Sequence, residues 1–187
     1  MAMFKKENGK LSQVKEIAFK KEKDLQELTE KNLETIFGLE FVTTEYQVQN
    51  LFIDTLAFDQ ENNSFVIIEY KRDRSFSIID QGYAYLSLML HNKADFILEY
   101  NEKTGKGLRR GDVDWSQSRV LFLANSFTAY QQNAISFKDL PIELWEVKKF
   151  NNDLVLFNEL KSPETSESIK TVSKSKTIEN VGKEIKK

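Results

Sequence analysis

Cysteine is absent from the 187 residues of this chain, and histidine occurs once. The chain therefore cannot form disulfides, Cys-ligated zinc sites, iron–sulfur clusters or thiol nucleophiles, and a single histidine leaves no His-rich metal site. Catalysis, if there is any, must use carboxylates, Lys, Tyr, Ser or Thr. No apolar run approaches the roughly 20 residues of a membrane helix. The N-terminus is charged rather than signal-like, so we expect a cytoplasmic protein with no membrane partner.

Excess charge is also small, because 27 Lys and Arg against 29 Asp and Glu leave a net charge of −2. Binding of a polyanion through bulk charge is not expected. Hydrophobic residues make up 40% of the chain, with 14 Phe, which is enough for one buried core. We expect one domain over residues 1–161. Residues 162–187 are rich in Ser, Thr, Lys and Glu and lack aromatics, which is typical of a polar tail or of a linker to a further domain.

Periodicity and turn signals give the predicted elements. Asn8-Gly9 between two short mixed runs predicts an N-terminal hairpin. Helices are predicted from apolar stripes at 21–37, 77–90 and 126–137. Strands are predicted from apolar runs between turn signals at 41–48, 51–58, 65–71, 94–100, 119–124, 142–147 and 154–158. The first three strands form an antiparallel meander between two helices. This order predicts an α/β fold with a mixed central sheet flanked by helices.

Two carboxylates occupy strand positions where burial is expected. Asp54 alternates with Phe52, Leu56 and Phe58, which predicts that all four share one face of a strand. Isolated buried carboxylates are costly, and two neighbouring ones repel unless a cation lies between them.

On the next strand, Glu69 and Lys71 share a face, and a short turn joins this strand to that of Asp54. A hard divalent ion, Mg²⁺ (or Mn²⁺), between Asp54 and Glu69 would resolve the repulsion, with the backbone carbonyl of Tyr70 as a further oxygen ligand. The Lys71 ammonium would face the same point, where it could orient a water or stabilise negative charge on a phosphate.

Helix geometry adds three candidates. At 100° per residue, Glu22 lies within about 50° of the apolar stripe of the first helix, whereas three other Glu of that helix point away. Glu22 in the first turn also suits the helix dipole, and that alternative stays open. In the second helix, Gln81 and Tyr85 are four residues apart and lie on one side.

These residues together resemble a known superfamily. Asp54, fourteen intervening residues, then Glu69-Tyr70-Lys71 and Gln81-x-x-x-Tyr85 resemble the PD-(D/E)xK, restriction-endonuclease-like nucleases. The Gln-x-x-x-Tyr element is similar to that of the RecB-type branch. The run 22–26, Glu-Lys-Asp-Leu-Gln, is similar to the helix of NucS-like endonucleases. One departure is Ile53, which stands where the namesake Pro of the superfamily would be.

The resemblance implies the superfamily's α-β-β-β-α-β core over about residues 20–124. It also implies the roles of the site residues. Asp54 and Glu69 would bind the metal, Lys71 would be the catalytic lysine, and Glu22 would complete the acidic cluster. Gln81 and Tyr85 would be active-site and DNA-positioning residues.

Basic residues near the predicted site indicate a polyanionic partner. Arg72 directly follows Lys71, and Arg74 comes two residues later. A glycine-bearing loop is the other basic stretch, and it could grip phosphates or be an ordinary solvated loop; its candidate nucleic-acid-binding residues are Lys103, Lys106, Arg109 and Arg110. We therefore expect DNA as the partner, and a homodimer is compatible with it.

The function that these patterns predict is a Mg²⁺-dependent DNA nuclease that hydrolyses phosphodiesters with a metal-activated water. A catalytically inactive module on the same fold, binding nucleic acid or protein, is the main alternative. A glycosidase with paired carboxylates would need two acids on opposite sides of a cleft. The lysine beside Glu69 argues against it.

Overall fold

A computed structural model describes residues 2–71, 78–137, 139–161 and 166–169 of the chain. The strands are β1 (Met3–Glu7), β2 (Lys10–Val14), β3 (Glu16–Ile17), β4 (Glu40–Val48), β5 (Leu51–Asp59), β6 (Ser64–Lys71), β7 (Arg119–Ala124), β8 (Ile142–Phe150) and β9 (Val155–Glu159). The helices are α1 (Glu22–Glu30), α2 (Leu33–Phe37), α3 (Ile78–His91), α4 (Lys93–Thr104) and α5 (Ala129–Ala134).

The central sheet has seven strands in the order β4-β5-β6-β7-β8-β3, with β9 also paired to β8. Strands β4, β5 and β6 form the predicted antiparallel meander. Strands β6, β7 and β8 are parallel to one another, whereas β3 and β9 run antiparallel to β8. Parallel neighbours need crossover connections, which α3 and α4 provide between β6 and β7 and α5 provides between β7 and β8. The predicted mixed sheet is confirmed.

Helices cover both faces of this sheet. On one face, α1 and α2 bury Leu25 and Leu33 against a cluster that includes Ile68 and Tyr70 of β6. On the other face, α3 and α4 pack over a larger cluster. Every residue from Ser64 to Tyr70 is therefore buried. The polar end of β6 lies at the rim of a strand covered on both sides.

The predicted N-terminal hairpin is also confirmed. Strands β1 and β2 pair antiparallel from Met3↔Val14 to Glu7↔Lys10, in a two-stranded sheet of their own. The turn residues Asn8 and Gly9 both have positive φ, 49° and 80°. This combination is the one that two-residue hairpin turns require.

The strand predicted at 94–100 was wrong, because this segment belongs to helix α4. Phe96 and Tyr100 are buried and lie four residues apart, whereas Leu98 between them is 57% exposed. That spacing is helical, and Gly105 in the left-handed conformation ends the helix. The superfamily-like order of α1, the β4–β6 meander, α3 and β7 is kept, with α4 added before β7.

Smaller differences concern element ends. The helix predicted at 21–37 is divided into α1 and α2 around Lys31 and Asn32. The helix predicted at 126–137 shortens to α5, where Thr128 caps the first turn by accepting from the backbone N–H of Gln131. The two-residue strand β3 was not predicted, since its residues are exposed and show no apolar pattern.

Parts of the predicted organisation lie outside the described residues. These parts are 72–77, 162–165 and 170–187. Within 166–169, the Ser168 hydroxyl and the Ile169 backbone N–H both donate to the carboxylate of Asp139. None of the helices in the described part of the chain has the length and apolar character needed to cross a bilayer.

Candidate active site

The candidate site begins where β5 separates from β6. The β5–β6 pairing runs from Asp59↔Ser64 to Thr55↔Ile68. At the next position, the Asp54 carboxylate accepts a hydrogen bond from the backbone N–H of Tyr70 at 3.0 Å. Strand β6 stays paired with β7 through Lys71↔Ala124. The carboxylate of Asp54 therefore occupies the fork where β5, still paired with β4, separates from β6, which stays paired with β7.

A second irregularity coincides with this fork. The β4–β5 pairing passes from Thr44↔Thr55 to Tyr46↔Ile53, and between these pairs Glu45 has a φ of 50°. Our prediction that Phe52 shares a buried face with Asp54 was wrong, because Phe52 is 59% exposed. Ile53 is fully buried instead, in the same cluster as Leu56. The alternation of side chains changes at Asp54, opposite Glu45, whose left-handed conformation departs from the regular pleat although the register on either side is the same.

Glu69 has three side-chain partners in the site. It is buried, and its Oε1 accepts from Lys71 Nζ at 2.7 Å and from Gln81 Nε2 at 2.8 Å. Its Oε2 lies 2.9 Å from the Tyr85 hydroxyl. Gln81 and Tyr85 are one helical turn apart on α3, which aims both polar groups at the end of β6. The structure thus brings together Glu69, Lys71, Gln81 and Tyr85, as their spacing predicts.

The hydroxyl of Tyr85 links three groups with a single proton. It accepts from Gln81 Nε2 at 2.9 Å and lies 2.8 Å from the backbone carbonyl of Phe52. It can therefore donate to either the Phe52 carbonyl or Glu69 at any moment. Burial, with the charge of Glu69 beside it, raises the pKa of Tyr85. The phenol consequently stays protonated and acts as a donor that fixes Glu69 against the start of β5.

Asp54 has a strongly perturbed titration. Burial, together with the negative charge of Glu69, raises the pKa of Asp54 from 3.8 to about 6. The Tyr70 N–H bond and the Lys71 charge act in the opposite direction, and the Glu22 charge adds a further small increase. Asp54 and Glu69 are thus close enough to repel each other, and the Lys71 ammonium offsets only part of this repulsion.

Glu22 and Tyr70 complete the predicted set. Glu22 is an exposed first residue of α1, near enough for its charge to act on Asp54. The Tyr70 side chain points to the α1 face, where its hydroxyl lies 3.1 Å from Thr55 Oγ1. Among the described residues, no three His, Cys, Asp or Glu side chains form a group that could hold a metal ion. The acidic centre of the site consists of the Asp54–Glu69 pair.

Sequence reasoning missed one residue that contacts the site. Gln26 of α1 is buried, and its Nε2 donates to the backbone carbonyl of Asp54 at 2.9 Å. The same nitrogen lies 3.0 Å from Thr44 Oγ1 and 3.0 Å from Glu30 Oε1. One signal was available, because Gln26 lies four residues after Glu22 and next to Leu25 on the inward face of the helix.

The predicted nucleic-acid-binding residues are not gathered at the site. Arg72 and Arg74 lie outside the described residues. Lys106 pairs with Glu40 at 2.6 Å, and Glu40 faces Phe58 at the far end of β5. Four residues of strand separate that point from Asp54, a distance of about 14 Å.

The other three predicted cations are exposed, and Lys103 lies in the last turn of helix α4 rather than in the loop. Lys103 lies 3.8 Å from Glu99, and the backbone N–H of Arg109 donates to Asp112. Arg110 begins a short 3₁₀ turn next to it. The segment that follows bonds to the β5–β6 turn, since the Asp114 N–H donates to the Asn63 carbonyl at 2.8 Å. The basic loop therefore lies at the opposite end of β6 from Glu69.

A family described as "Endonuclease NucS C-terminal domain" matches residues 21–97, less than half of the chain. The matched segment contains all six residues predicted to form the catalytic site. A protein of Haemophilus influenzae (strain ATCC 51907 / DSM 11121 / KW20 / Rd) is 51% identical over all 187 residues, and its description names no activity. The chain spans 62% of the length of that relative.

Three solved structures show weaker likeness. An EndoMS–double-stranded DNA complex has a TM-score of 0.47 at 19% identity, covering 71% of this chain and 47% of that one. A repair endonuclease from Pyrococcus abyssi has a TM-score of 0.39 at 17% identity, covering 71% and 49%. Pyrococcus furiosus SfsA in complex with Ca²⁺ has a TM-score of 0.36 at 12% identity, covering 73% and 61%.

Proposed function

We propose that this chain is a NucS-like DNA nuclease that hydrolyses phosphodiester bonds with the help of a divalent metal ion. The observation that carries the proposal is the Asp54–Glu69 pair at the fork of β5 and β6, with the Lys71 ammonium 2.7 Å from Glu69. Two acids and a lysine at one point suit the cleavage of a phosphodiester, because the acids can bind a cation and the lysine can offset charge on the phosphate. The family match over the same residues supports this proposal.

The donor set suits a hard cation. Asp54 has a pKa raised to about 6 by burial and by the charge of Glu69, so a positive charge placed between the two carboxylates would relieve an existing repulsion. The oxygen ligands would come from Asp54, Glu69 and the backbone carbonyl of Tyr70, the ligand type that Mg²⁺ and Mn²⁺ prefer. When bound, such an ion supplies Lewis-acid stabilisation of phosphate charge and activation of a water molecule.

The protein's own groups have separable roles in this proposal. Gln81 and Tyr85 hold the Glu69 carboxylate in one orientation, so that it does not have to reorganise when substrate arrives. Lys71 places an ammonium beside Glu69, where a scissile phosphate would accumulate charge. Asp54 must be deprotonated to bind a cation, so metal and proton compete for this carboxylate and metal binding should weaken as pH falls.

Cleavage assays with matched variants test the proposal. Labelled single-stranded, duplex and branched DNA would be incubated with the protein and with Mg²⁺, Mn²⁺ or EDTA. We expect metal-dependent cleavage that Asp54→Asn removes. Glu61→Gln, an exposed acid in the β5–β6 turn at the other end of the sheet, should leave cleavage intact. Absence of cleavage of every substrate, or equal cleavage by Asp54→Asn, would contradict the proposal.

A specific observation favours the second candidate, a nuclease-fold module that binds DNA without cutting it. Both oxygens of Glu69 already have protein partners, Lys71 and Gln81 on one and Tyr85 on the other. If the Lys71–Glu69 ion pair does not open, the carboxylate has less capacity for a cation. Salt-sensitive DNA binding without turnover, unchanged by Mg²⁺, would support this candidate.

A further inference from the structure

Regular pairing is interrupted at Asp54, because the β5–β6 ladder ends at Thr55↔Ile68 and the β4–β5 ladder lacks a Glu45↔Asp54 pair. We call this point the break, and two backbone groups there are bonded by side chains. One is the N–H of Tyr70, which the Asp54 carboxylate itself accepts at 3.0 Å. The other is the carbonyl of Asp54, which accepts from Gln26 Nε2 at 2.9 Å. Buried backbone groups must have partners. The Asp54 carboxylate is the partner of the Tyr70 N–H, and Gln26 is the nearer donor to the Asp54 carbonyl, with Thr44 Oγ1 at 3.5 Å. The orientation of the Asp54 carboxylate and the contact with Gln26 are therefore parts of one arrangement.

Gln26 is held firmly enough to serve as a fixed donor. The side chain is 6% exposed. Its amide nitrogen has two protons and three acceptors within 3.0 Å, namely the Asp54 carbonyl, Thr44 Oγ1 and Glu30 Oε1. Glu30 Oε1 also accepts from Thr55 Oγ1 at 2.6 Å. One side chain of α1 thus reaches both strands that flank the break, β4 through Thr44 and β5 through Asp54.

The facing strand contributes backbone strain at the same point. Five non-glycine residues of the described part have positive φ, and Glu45 is the one that lies inside a strand; the others, in turns, are Asn8, Gln49, Asn63 and Asp153. A left-handed conformation is unfavourable for a residue such as Glu and persists where its surroundings impose it. Lys23 of α1 pairs with Glu45 at 2.6 Å. Helix α1 therefore contacts both sides of the break.

We propose that Gln26 is a positioning residue of the candidate site: by bonding the Asp54 carbonyl it keeps the β4–β5 ladder open there and so directs the Asp54 carboxylate to the fork beside Glu69. The inference rests on the proposed nuclease function for its catalytic consequence. Its structural content is independent of that function, because the Tyr70 N–H reports the position of the Asp54 carboxylate whether or not DNA is cut.

The first test compares Gln26→Met with Leu25→Ala. Gln26→Met keeps the buried volume and removes the donor, whereas Leu25→Ala weakens the packing of the same helix without removing a polar contact. Hydrogen exchange measured by NMR should show at least tenfold faster exchange of the Tyr70 amide in Gln26→Met, relative to amides of the β6–β7 ladder. In Leu25→Ala the Tyr70 amide should change only as much as those ladder amides. Equal changes in the two variants would overturn the inference.

Kinetics give the catalytic readout. In the full chain, Gln26→Met should lower kcat for DNA cleavage about 10- to 100-fold with KM within twofold, since substrate binding is unaffected and a catalytic group is displaced. Leu25→Ala should retain kcat at a temperature where it is folded. An unchanged kcat in Gln26→Met would overturn the catalytic part.

Two substitutions of Glu45 give a second test, which does not require the Gln26→Met variant to fold. Glu45→Gly and Glu45→Val both remove the ion pair with Lys23, but glycine favours the positive φ and valine opposes it. Glu45→Gly should keep Tyr70 protection, and Glu45→Val should lose it. Equal behaviour of the two variants would show that the break does not direct Asp54.

These measurements separate the two proposals. A wild-type chain that cleaves no DNA would defeat the proposed nuclease function, and the exchange results would still decide whether Gln26 positions Asp54. Cleavage by the wild type with unchanged Tyr70 exchange in Gln26→Met would support the nuclease and defeat the inference about Gln26.

Discussion

The Tyr70 backbone N–H donates to the Asp54 carboxylate at the first position beyond the β5–β6 ladder. A main-chain donor is thereby used to hold a catalytic candidate, while the Tyr70 side chain is buried on the opposite face of the sheet. Asp54 consequently approaches Glu69 from the neighbouring strand, while β5 stays paired with β4 and β6 stays paired with β7.

Replacing Asp54 by Asn should abolish cleavage and stabilise the fold. The amide oxygen of Asn can still accept from the Tyr70 N–H, so the local geometry is kept. The substitution removes a charge that burial and Glu69 make unfavourable. We expect at least a 100-fold loss of kcat/KM and an increase of about 1–2 kcal/mol in the free energy of unfolding at pH 7.5. Urea denaturation and cleavage assays on one preparation measure both; reduced stability would mean that the Asp54 charge is compensated.

The stability of the metal-free protein should depend on pH through Asp54. Its pKa is raised from 3.8 to about 6 in the folded state by burial and by the charge of Glu69, so the folded protein binds this proton more tightly than the unfolded chain. The associated stability is complete below pH 4 and is lost as pH rises through 6. Relative to Asp54→Asn, the wild type should lose about 1–3 kcal/mol between pH 4 and pH 7. If the free energy of unfolding of the two proteins depends on pH in the same way, the pKa of Asp54 is not raised in the folded state.

Lys71→Met should remove cleavage and also destabilise the protein. It keeps the length of the side chain and takes the ammonium away from Glu69, which then remains buried with Gln81 and Tyr85 as partners. We expect a loss of at least 100-fold in kcat and about 1–3 kcal/mol in the free energy of unfolding. Lys31→Met, at an exposed lysine that follows α1, is the control and should change neither quantity by much. Retained cleavage in Lys71→Met would exclude Lys71 from the chemistry.

Tyr85→Phe tests whether fixing Glu69 matters. The variant loses the hydroxyl that reaches both Glu69 and the Phe52 carbonyl, with the ring packing unchanged. We expect a fall of about tenfold in kcat and of about 1 kcal/mol in the free energy of unfolding. Tyr83→Phe on the same helix, where Tyr83 is exposed, serves as the control. If the two variants have the same kcat, the hydroxyl of Tyr85 does not orient Glu69 during turnover.

The sequence was informative where geometry is local. Alternation along β6 places Glu69 and Lys71 on one face, and the four-residue spacing in α3 places Gln81 and Tyr85 on one side. That the two pairs form one site was implied by the resemblance to the PD-(D/E)xK nucleases. The turn between β5 and β6 likewise brought Asp54 near Glu69. Their catalytic roles stay predictions.

Other features depend on long-range structure and could not be derived in this way. The exposed Phe52 and buried Ile53 reverse the expected alternation at the point where Glu45, on the facing strand, adopts a positive φ. The contact of Gln26 with the Asp54 carbonyl exists only because the ladder is interrupted there. Helix α4 was mistaken for a strand because its run of apolar residues is short, and short runs suit both periods.

The basic loop gives the last prediction, since the structure separates it from the acids. Lys106 is paired with Glu40 about 14 Å from Asp54 along β5, and Arg109 and Arg110 are exposed in the same loop. We expect that an oligonucleotide of about five nucleotides, bound with its central phosphate at the acids, does not reach these cations. A long duplex can reach them.

We therefore expect the double variant Arg109→Gln/Arg110→Gln to cleave a five-nucleotide substrate with unchanged kcat and KM. For a 30-base-pair duplex, the KM should rise several-fold, and the slope of log Kd against log salt should decrease by about 1–2, because two phosphate contacts are lost. The double variant Lys5→Gln/Lys10→Gln, in the separate N-terminal hairpin, controls for net charge. Identical salt slopes for wild type and the Arg variant would place the loop outside the DNA footprint, and a lower kcat on the short substrate would contradict its separation from the acids.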